Sequence, residues 1–594
     1  MPRAFGRNLS DFFNPGTVSL PRAEQALREA AARGVSYAGT LAPAMRMAAR
    51  ETPAKPRGRP ACAEATVIRA GFLRFLLLGG DDDAPVHENG VLMSDVWVTD
   101  LLDLNECKAV CSVTLENCVL DSGVLLTDAS LVNFALLGCV VRRLKIDAWS
   151  DMAIFGERMK STGAVFLRKG CHLLGEMRMQ AAAIGGDLDL AGSRFDAADR
   201  IAIDLTAARI GGDLELNSYY RGGLPRRRRA SAPPPRAVSY VTRVARLPPP
   251  AIPAEAPPPI ESHFEARGRV ILDNATVAVR LRLIGATIRF ASDADRSGPR
   301  AALSCVGTAV RGGFFFHDFR RSEGADAPSG VEGVSLLGAT VGTLVDDPDS
   351  WETGRGRHRF DGFVYERIAD ESREDDRCAW LRTQRPEDLG VGPVPRFGGL
   401  REQPWEQAAD ALEASGETHA AREVRIAQQR LKTAAGDLAR KAWALPWDFV
   451  SRYGLEKGRL TRITLAIWFL ATLDCYYLAT HGGIRAVDEK ALPAHYEACF
   501  ADARATGALF ATPFAFCTQF KHIDEKHVDY TPFVPLLYSI DNLVPVIDLG
   551  QKKAWTWSPR AGIAWFLMFE YLWGAVIGSA LAALLGSYLL RRTG

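Results

Sequence analysis

Two acidic residues inside long apolar runs are the side chains in this sequence most able to do chemistry. Asp474 is the only charge in the run from Ile463 to Leu478, and Glu570 is the only charge in the run from Ala561 to Leu590. Ionisable side chains in hydrocarbon are rare and often line a path for ions or protons. Both acids lie near the outer ends of their runs, which also fits an acid at the membrane interface or a pair that joins two helices.

A third apolar stretch, Phe533–Gly550, lies between those runs and carries Asp541 and Asp548. Pro535 and Pro545 interrupt it, so it is a poor spanning helix and fits a re-entrant or interfacial segment. The order of helix, broken apolar segment and helix resembles the two-helix pore unit of potassium-channel-like proteins. That resemblance makes the four acids candidate pore residues, although the TVGYG-type filter loop of such channels is absent.

Two cysteines, Cys499 and Cys517, lie between the long apolar runs and would be able to form a disulfide in an oxidising compartment. The chain has eleven cysteines in all, without a C-x-x-C pair or metal-ligand spacing. We expect the others to be reduced and buried, the usual state of free cysteine in a cytosolic core. The sequence therefore predicts no metal and no cofactor.

An arginine-rich segment at 221–262 interrupts the repeats described below and contains Arg226, Arg227, Arg228 and Arg229 among runs of proline. Eight arginines and no acid lie between residues 221 and 246, so the segment cannot bury a core. Basic residues near anionic lipid head groups contribute about 1 kcal/mol each. Contact of the four arginines with lipid is one interpretation, and a solvated insertion is the other.

The long apolar runs predict two transmembrane helices, at about 461–480 and 563–590, because about 20 apolar residues span the hydrocarbon. Basic residues precede the first span, and Arg591 and Arg592 follow the second. The positive-inside rule therefore places both termini in the cytoplasm and the loop between the spans on the other side.

An eight-residue pattern with two apolar positions, a small residue and a further apolar position recurs through the first half of the chain. It begins at Val91, Leu102 and Val113, which are 11 residues apart, and pairs with the same spacing recur as far as Val334 and Val345. Apolar residues two apart point to one side of a strand, and the small residue fits a turn inside a narrow core. The repeat predicts a mainly-β solenoid over 64–345 with about 22 residues in each coil.

Gly-Gly-Asp sequences follow some of these units, as in Gly185-Gly186-Asp187 and Gly211-Gly212-Asp213. The pattern predicts that the turns at these places need the permissive backbone of glycine. Because strand residues follow each of them, these glycines do not form a dinucleotide-binding turn between a strand and a helix.

The phrases LRFLLLGGDDDAPVHENGVLMSDVWV, IGGDLDLAGSRF and LRLIGATI resemble bacterial pentapeptide-repeat-like proteins. The resemblance implies a right-handed β-helix and a place in the bacterial inner membrane. It extends to a family of membrane proteins, some of which carry the label membrane-associated oxidoreductase. The run QPWEQ…AREVRIAQQR, near residues 403–430, resembles the same family.

After the last repeat, residues 403–443 predict a helical hairpin that breaks at Ser415-Gly416 and restarts at Thr418. We expect it to cover the end of the solenoid. The predicted domains are an N-terminal helical or irregular segment (1–63), the solenoid (64–345), a linker with the hairpin (346–458) and a membrane domain (459–594).

The composition and the motifs exclude several classes of function. With 72 basic and 70 acidic residues the net charge is +2, which does not suggest a nucleic-acid partner. No catalytic motif or constellation stands out, so an enzyme is the least supported hypothesis. The two others are a membrane-anchored scaffold, which binds the bilayer and either an unknown protein partner or further copies of itself, and a channel-like or transport protein that the solenoid regulates.

Overall fold

The computed structural model describes most of the first 435 residues and parts of the remainder. The described ranges are 8–16, 18–51, 66–144, 152–220, 260–289, 301–322, 332–352, 357–369, 374–390, 400–435, 452–480, 484–487, 533–544, 548–557 and 565–575, with Lys441, Ala444, Asp448 and Gly578. The chain forms two compact units, residues 1–437 and 438–594.

The first unit is built from short parallel strands that stack into four ladders around one core. Val91 pairs with Val113, 22 residues later, and Leu102 pairs with Val124 on the far side of the coil. An 11-residue unit is therefore half a coil, and the structure confirms a mainly-β, solenoid-like fold. Side chains alternate along each strand, so Val91 and Met93 are buried inside while Leu92 between them is only partly buried.

The strands of the four ladders have the following bounds. The first ladder contains Tyr37–Ala38, Val91–Ser94, Val113–Glu116, Phe134–Leu137, Val165–Arg168, Leu188–Asp189, Leu214–Glu215 and Leu281–Ile284, with the later parts of Ala309–His317, Thr340–Asp346 and Val364–Ile368. The second contains Val67–Arg69, Trp97–Thr99, Val119–Leu120, Val140–Val141, His172–Leu173, the first parts of Arg194–Asp204 and Glu265–Ile271, Thr287–Arg289 and Arg320–Ser322. The third contains Leu102–Asp103, Val124–Leu125, Met152–Phe155, Glu176–Arg178, the later parts of Arg194–Asp204 and Glu265–Ile271, Ala301–Ser304 and Glu332–Ser335. The fourth contains Ser130–Leu131, Lys160–Ser161, Ala183–Ile184, Arg209–Ile210 and Thr276–Val277, with the first parts of Ala309–His317, Thr340–Asp346 and Val364–Ile368.

The turn between the third and fourth ladders has the same backbone conformation in every coil. In each of nine successive turns, one residue has a φ between 54° and 73°. In the first eight of these turns, the N–H of that residue donates to a carbonyl oxygen of the next coil. These residues are Glu106, Asp128, Arg158, Ala181, Ala207, Asn274, Gly307, Gly338 and Gly362. The left-handed conformation is thus held by stacking between coils, and glycine is not required for it.

Glycine is needed in the Gly-Gly-Asp turns for a physical reason other than the predicted one. Gly185 and Gly211 do not have positive φ; they lie where successive coils approach closely. A Cβ on Gly211 would lie 2.3 Å from the carbonyl oxygen of Gly185. Glycine is needed there because no side chain fits between the stacked backbones.

Chain insertions collect at the corner between the second and third ladders. Successive strands are separated there by extra residues in four coils, between 141 and 152, 196 and 201, 289 and 301, and 322 and 332. The arginine-rich insertion instead leaves between the first and second ladders. The antiparallel strands Tyr219–Tyr220 and Ile260–Ser262 flank it, so residues 260–262, predicted as part of the insertion, are an ordered strand.

Helices cover the N-terminal end of the solenoid. After a 3₁₀ turn at Leu9–Phe12, helices α1 (Arg22–Arg33), α2 (Pro43–Glu51) and α3 (Ala70–Leu77) follow. The carboxylate of Glu24, which is buried in α1, accepts hydrogen bonds from the backbone N–H and the guanidinium of Arg69. Residues 1–63, predicted as helical or irregular, thus contain the helices α1 and α2. Helix α2 lies along the outside of the solenoid, as described below.

The other end is closed by α4 (Pro348–Glu352), α5 (Glu374–Leu381), α6 (Gln403–Ala414) and α7 (Thr418–Ala435). The last two form a hairpin with the predicted break at Ser415-Gly416. Gln403 donates to the carbonyl of Phe363 and accepts from the N–H of Gly362, while Gln407 donates to the carbonyl of Tyr365. The hairpin thereby satisfies backbone groups that the last coil would otherwise leave open.

The second unit contains α8 (Lys457–Thr480), α9 (Pro535–Leu543) and α10 (Gln551–Ala554), and residues 565–575 are also helical. Strands Ile484–Ala486 and Trp555–Trp557 pair in an antiparallel ribbon. One helix in the described part of the chain, Gly458–Ala479 within α8, is long and apolar enough to span a membrane. The prediction of a second span at 563–590 lies largely outside the described residues.

Candidate functional site

Three helical segments of the second unit pack around the predicted acids. The hydroxyl of Ser539 in α9 lies 3.5 Å from the carbonyl oxygen of Trp468 in α8. On the third segment, a Cβ on Gly574 would lie 2.0 Å from the carbonyl oxygen of Leu543, so this glycine permits close packing with the end of α9. The indole N–H of Trp573 donates to the hydroxyl of Thr464 at 3.4 Å.

Glu570 is fully buried in this packing. One oxygen, Oε1, accepts a hydrogen bond from the hydroxyl of Ser539. The other, Oε2, has no hydrogen-bond partner in the described part of the chain. Burial of a carboxylate with one unsatisfied oxygen is costly, so this oxygen needs a hydrogen-bond donor, a proton or a cation from outside the described residues.

Asp474 lies on α8 beside the buried Cys475 and is partly buried itself. Its Oδ2 also lacks a partner among the residues that the structure describes. Two apolar helical segments thus each carry a carboxylate with one buried, unpaired oxygen. Among the described residues neither carboxylate forms an ion pair with a basic side chain, which would be the simplest structural reason for a buried acid.

Asp541 and Asp548 have local structural partners. Asp541 is buried and accepts hydrogen bonds from the backbone N–H groups of Leu549 and Lys552, at 3.1 and 3.0 Å, which hold the turn into α10. Asp548 is exposed, accepts from the N–H of Gly550 and pairs with Lys553. The Lys553 ammonium is the main reason why the pKa of Asp548 is lowered. Both carboxylates therefore form hydrogen bonds or ion pairs within the turn that leads into α10.

The remaining predicted site residues lie outside the described part of the chain. These are Cys499 and Cys517, predicted as a disulfide, and Arg226, Arg227, Arg228 and Arg229, predicted as lipid contacts. In the described residues, no group of three or more His, Cys, Asp or Glu side chains could hold a metal ion.

Ser539 is the partner of Glu570 that sequence reasoning missed. The available signal was a small polar side chain, that of Ser539, in a largely apolar stretch that begins at Pro535. Pro535 stands in the first turn of α9, where proline favours the start of a helix and does not interrupt it.

No protein-family model matches this sequence, and no curated protein or solved structure matches it either.

Proposed function

We propose that this protein is a membrane-anchored β-solenoid scaffold that holds an interaction surface next to a lipid bilayer. The observation that carries the proposal is the exposure of α8. Leu465 and Phe469 are 54% and 62% exposed, and only 17% of the apolar span is buried. An apolar helix with so much exposed surface fits hydrocarbon as its environment.

Apolar side chains on the segment 565–575 support a second span. Trp565, Phe569 and Leu572 are all about half exposed or more. The ribbon between Ile484–Ala486 and Trp555–Trp557 brings together the chain that leaves α8 and the chain that precedes this segment. Such a connection suits two antiparallel helices in the inner membrane with both termini in the cytoplasm, as the basic flanking residues suggest.

The solenoid supports the scaffold part of the proposal. Helices cover both of its ends, which disfavours growth into filaments by stacking of coils. Its sides therefore offer the surface for a protein partner or for a second copy of the chain. Repeat proteins often carry insertions on the face that binds, and the corner between the second and third ladders is the place where insertions collect here.

Membrane association is tested by washing membranes at alkaline pH, which strips peripheral proteins. We expect the full chain to stay with the lipid. A Leu470→Arg, Leu473→Arg double variant should be released, because an arginine at a helix centre costs about 2.5–3.5 kcal/mol of insertion free energy. Val279→Arg, at an exposed apolar position on the solenoid, is the matched control and should behave as the parent chain does. Release of the parent chain by the wash would contradict the proposal.

A channel-like or transport function is a second candidate, favoured by the unpaired oxygens of Glu570 and Asp474. Oligomeric state in detergent and ion flux into vesicles test it. A tetramer whose flux falls when Glu570→Gln is introduced supports a pore, while Asp548→Asn, at an exposed carboxylate, should leave the flux unchanged. A monomer without flux removes this candidate and leaves the scaffold. An oxidoreductase would show a bound chromophore in the absorbance spectrum of the purified protein.

A further inference from the structure

Helix α2 covers the outer side of the second ladder at the start of the solenoid. Ala49 of α2 and Leu41 just before it pack in one cluster with Trp97, Val119 and Val140. These three side chains occupy successive rungs of the second ladder. The apolar side of α2 therefore spans three coils, and its C-terminal end lies near the rung that follows.

Polar side chains replace the apolar ones on the next two rungs. His172 follows Val140, and Arg194 follows His172, each as the paired residue of the parallel neighbour. Adjacent strands are about 4.8 Å apart, so these side chains stand side by side. Arg50, at the end of α2, reaches the same place, since its Nη2 donates to the carbonyl oxygen of Gly170 at 3.0 Å.

Three nitrogen atoms at this place are buried and have no hydrogen-bond partner in the described part of the chain. They are Nε of Arg50, Nε2 of His172 and Nε of Arg194. The imidazole is well enclosed, since His172 is only 7% exposed. Buried polar atoms are normally paired, and a guanidinium Nε can only donate. Adjacent unpaired donors therefore indicate a place for an acceptor that does not come from the described chain.

The charges around His172 also favour an anion. Glu265 is shared by three guanidiniums, at N–O distances of 2.9 to 3.8 Å. One of these also faces a second carboxylate at 3.6 Å. Positive charge is therefore in excess by two when the histidine is neutral. The guanidiniums belong to Arg50, Arg194, Arg267 and Arg289, and the carboxylates to Glu265 and Asp196.

We propose that Arg50, His172 and Arg194 form a binding site for a phosphate-class oxyanion, either free or as the head of a phosphate ester. The planar guanidinium matches the oxygen atoms of such an anion, and its charge-assisted hydrogen bonds are strong. The imidazole adds a third donor from Nε2 when that nitrogen carries a proton. The site uses residues from α2 and from two coils, so it forms only when α2 lies on the ladder.

The titration of His172 links the site to pH. Burial is the main reason why its pKa is lowered to about 4, and the charges of Arg194, Arg50 and Arg267 lower it further. The carboxylate of Asp196 partly offsets this effect by raising the pKa. A bound dianion would offset the two nearest arginines and raise the pKa. Binding should therefore take up protons, and affinity should increase as the pH falls.

The test is calorimetric titration of the full chain in detergent with sulfate, which stays a dianion throughout the pH range of the experiment. We expect one sulfate to bind per chain. Arg50→Gln and Arg194→Gln should each weaken binding about tenfold or more, since each removes charge-assisted hydrogen bonds. Arg158→Gln is the matched control, because Arg158 is an exposed arginine that pairs with Asp128 elsewhere on the solenoid. The sulfate affinity of this variant should stay within about twofold of that of the parent chain. Absence of sulfate binding, or an equal loss in the control, would overturn the proposal.

His172 provides a second measurement that does not depend on the arginine variants. Sulfate affinity of the parent chain should rise from about pH 7 to about pH 5, and His172→Gln should abolish that rise. An affinity of the parent chain that does not change with pH, or a rise that persists in His172→Gln, counts against the site.

Two further probes distinguish the source of the anion. Inorganic phosphate and the water-soluble lipid dihexanoyl phosphatidic acid should both compete with sulfate. Tighter binding of the lipid indicates a head group as the ligand, and tighter binding of inorganic phosphate indicates a free anion. Failure of both to compete would contradict a phosphate-class site.

Discussion

At the scale of single residues, a column of thiols shows how the inner corner of the coils is filled. Cys118, Cys139 and Cys171 occupy the same small position in successive coils, and Ser193 continues the column. The thiol of Cys139 donates to the carbonyl oxygen of Leu115 in the preceding coil at 3.2 Å. Burial raises the pKa of the Cys118 and Cys171 thiols, so these groups act as small, weakly polar side chains.

The first prediction concerns Cys139. Cys139→Ser should be nearly neutral, because Ser193 makes the equivalent hydrogen bond to the carbonyl oxygen of Leu167 at 2.6 Å. Cys139→Leu should lower the free energy of unfolding by about 1–3 kcal/mol, because a larger side chain overpacks the corner. The midpoint of thermal unfolding, followed by tryptophan fluorescence, measures both. Equal midpoints for the two variants would show that the corner accommodates a leucine side chain without overpacking.

The second prediction is a dependence of stability on pH that comes from His172. Its pKa is about 4 in the folded protein, below the ordinary value of 6.5, with burial as the main cause. The unfolded chain therefore binds more protons between these values, and stability is lost as the pH falls through this window. Without added oxyanion the loss should reach about 2 kcal/mol between pH 6.5 and about pH 5.

Unfolding midpoints of the parent chain and of His172→Gln over that pH range check this expectation. The variant should lose less stability than the parent chain as the pH falls. Val279→Gln, at an exposed apolar position of the solenoid, is the control; it adds no titratable group and should follow the curve of the parent chain. Parallel curves for His172→Gln and the parent would contradict the assignment.

At the scale of elements, the C-terminal cap depends on a buried ion pair. Asp346 takes an inward position of its strand, where the preceding coil has Phe316. The guanidinium of Arg377 in α5 donates to both of its carboxylate oxygens, at 2.7 and 2.8 Å, and the indole of Trp351 donates at 2.7 Å. The pair links α5 to the last coils, because separating Arg377 from Asp346 would leave a buried charge without its partner.

The third prediction follows from this pair. Arg377→Leu should lower the free energy of unfolding by about 3–5 kcal/mol, because it leaves the buried Asp346 without its basic partner. Arg425→Leu is the matched control, since Arg425 forms a more exposed pair with Asp410 and should cost less than about 1 kcal/mol. Limited proteolysis of the 382–403 region should accelerate in the first variant only. Equal destabilisation by the two substitutions would remove the special role of the buried pair.

Sequence alone predicts the elements that repeat and misses those that depend on distant contacts. The spacing of Val91 and Val113 predicts their pairing because inward side chains recur with the coil. Val113 then pairs with Phe134, but Phe134 pairs with Val165, 31 residues later, because an insertion between residues 141 and 152 lengthens that coil. The periodic pattern therefore reveals the fold class, but it does not count the coils.

The candidate sites show the same limit. Glu570 is visible in the sequence as a lone charge in an apolar run, while its partner Ser539 is 31 residues away and is recognised only from the packing. The site at His172 could not be predicted, because Arg50 and Arg194 come from segments 144 residues apart in the chain. The four-residue spacing of Leu41, Met45 and Ala49 was the available signal that α2 packs on a surface.

At the scale of the whole molecule, the chain consists of two units that differ in how much apolar surface they leave exposed. Residues 1–437 enclose a continuous apolar core that extends from Leu9 to Ala427 and is covered at both ends. Residues 438–594 have a small cluster around Cys475 and Trp555 and leave many apolar side chains of α8 exposed. The exposed apolar side chains of α8 are the reason why we propose that the second unit lies in lipid.

The fourth prediction is that residues 1–437 fold without the rest of the chain. Their core is complete, so the fragment should be monomeric and soluble without detergent, with β-rich circular dichroism and one cooperative thermal transition. A shorter fragment that ends at residue 369 is the control, because it lacks α5, α6 and α7 and exposes Tyr365 and Phe360 of the last coil, which are otherwise buried. We expect the shorter fragment to aggregate, since an uncovered end presents both apolar surface and unpaired strand edges. Aggregation of the 1–437 fragment under the same conditions would mean that the solenoid depends on residues 438–594 for its stability.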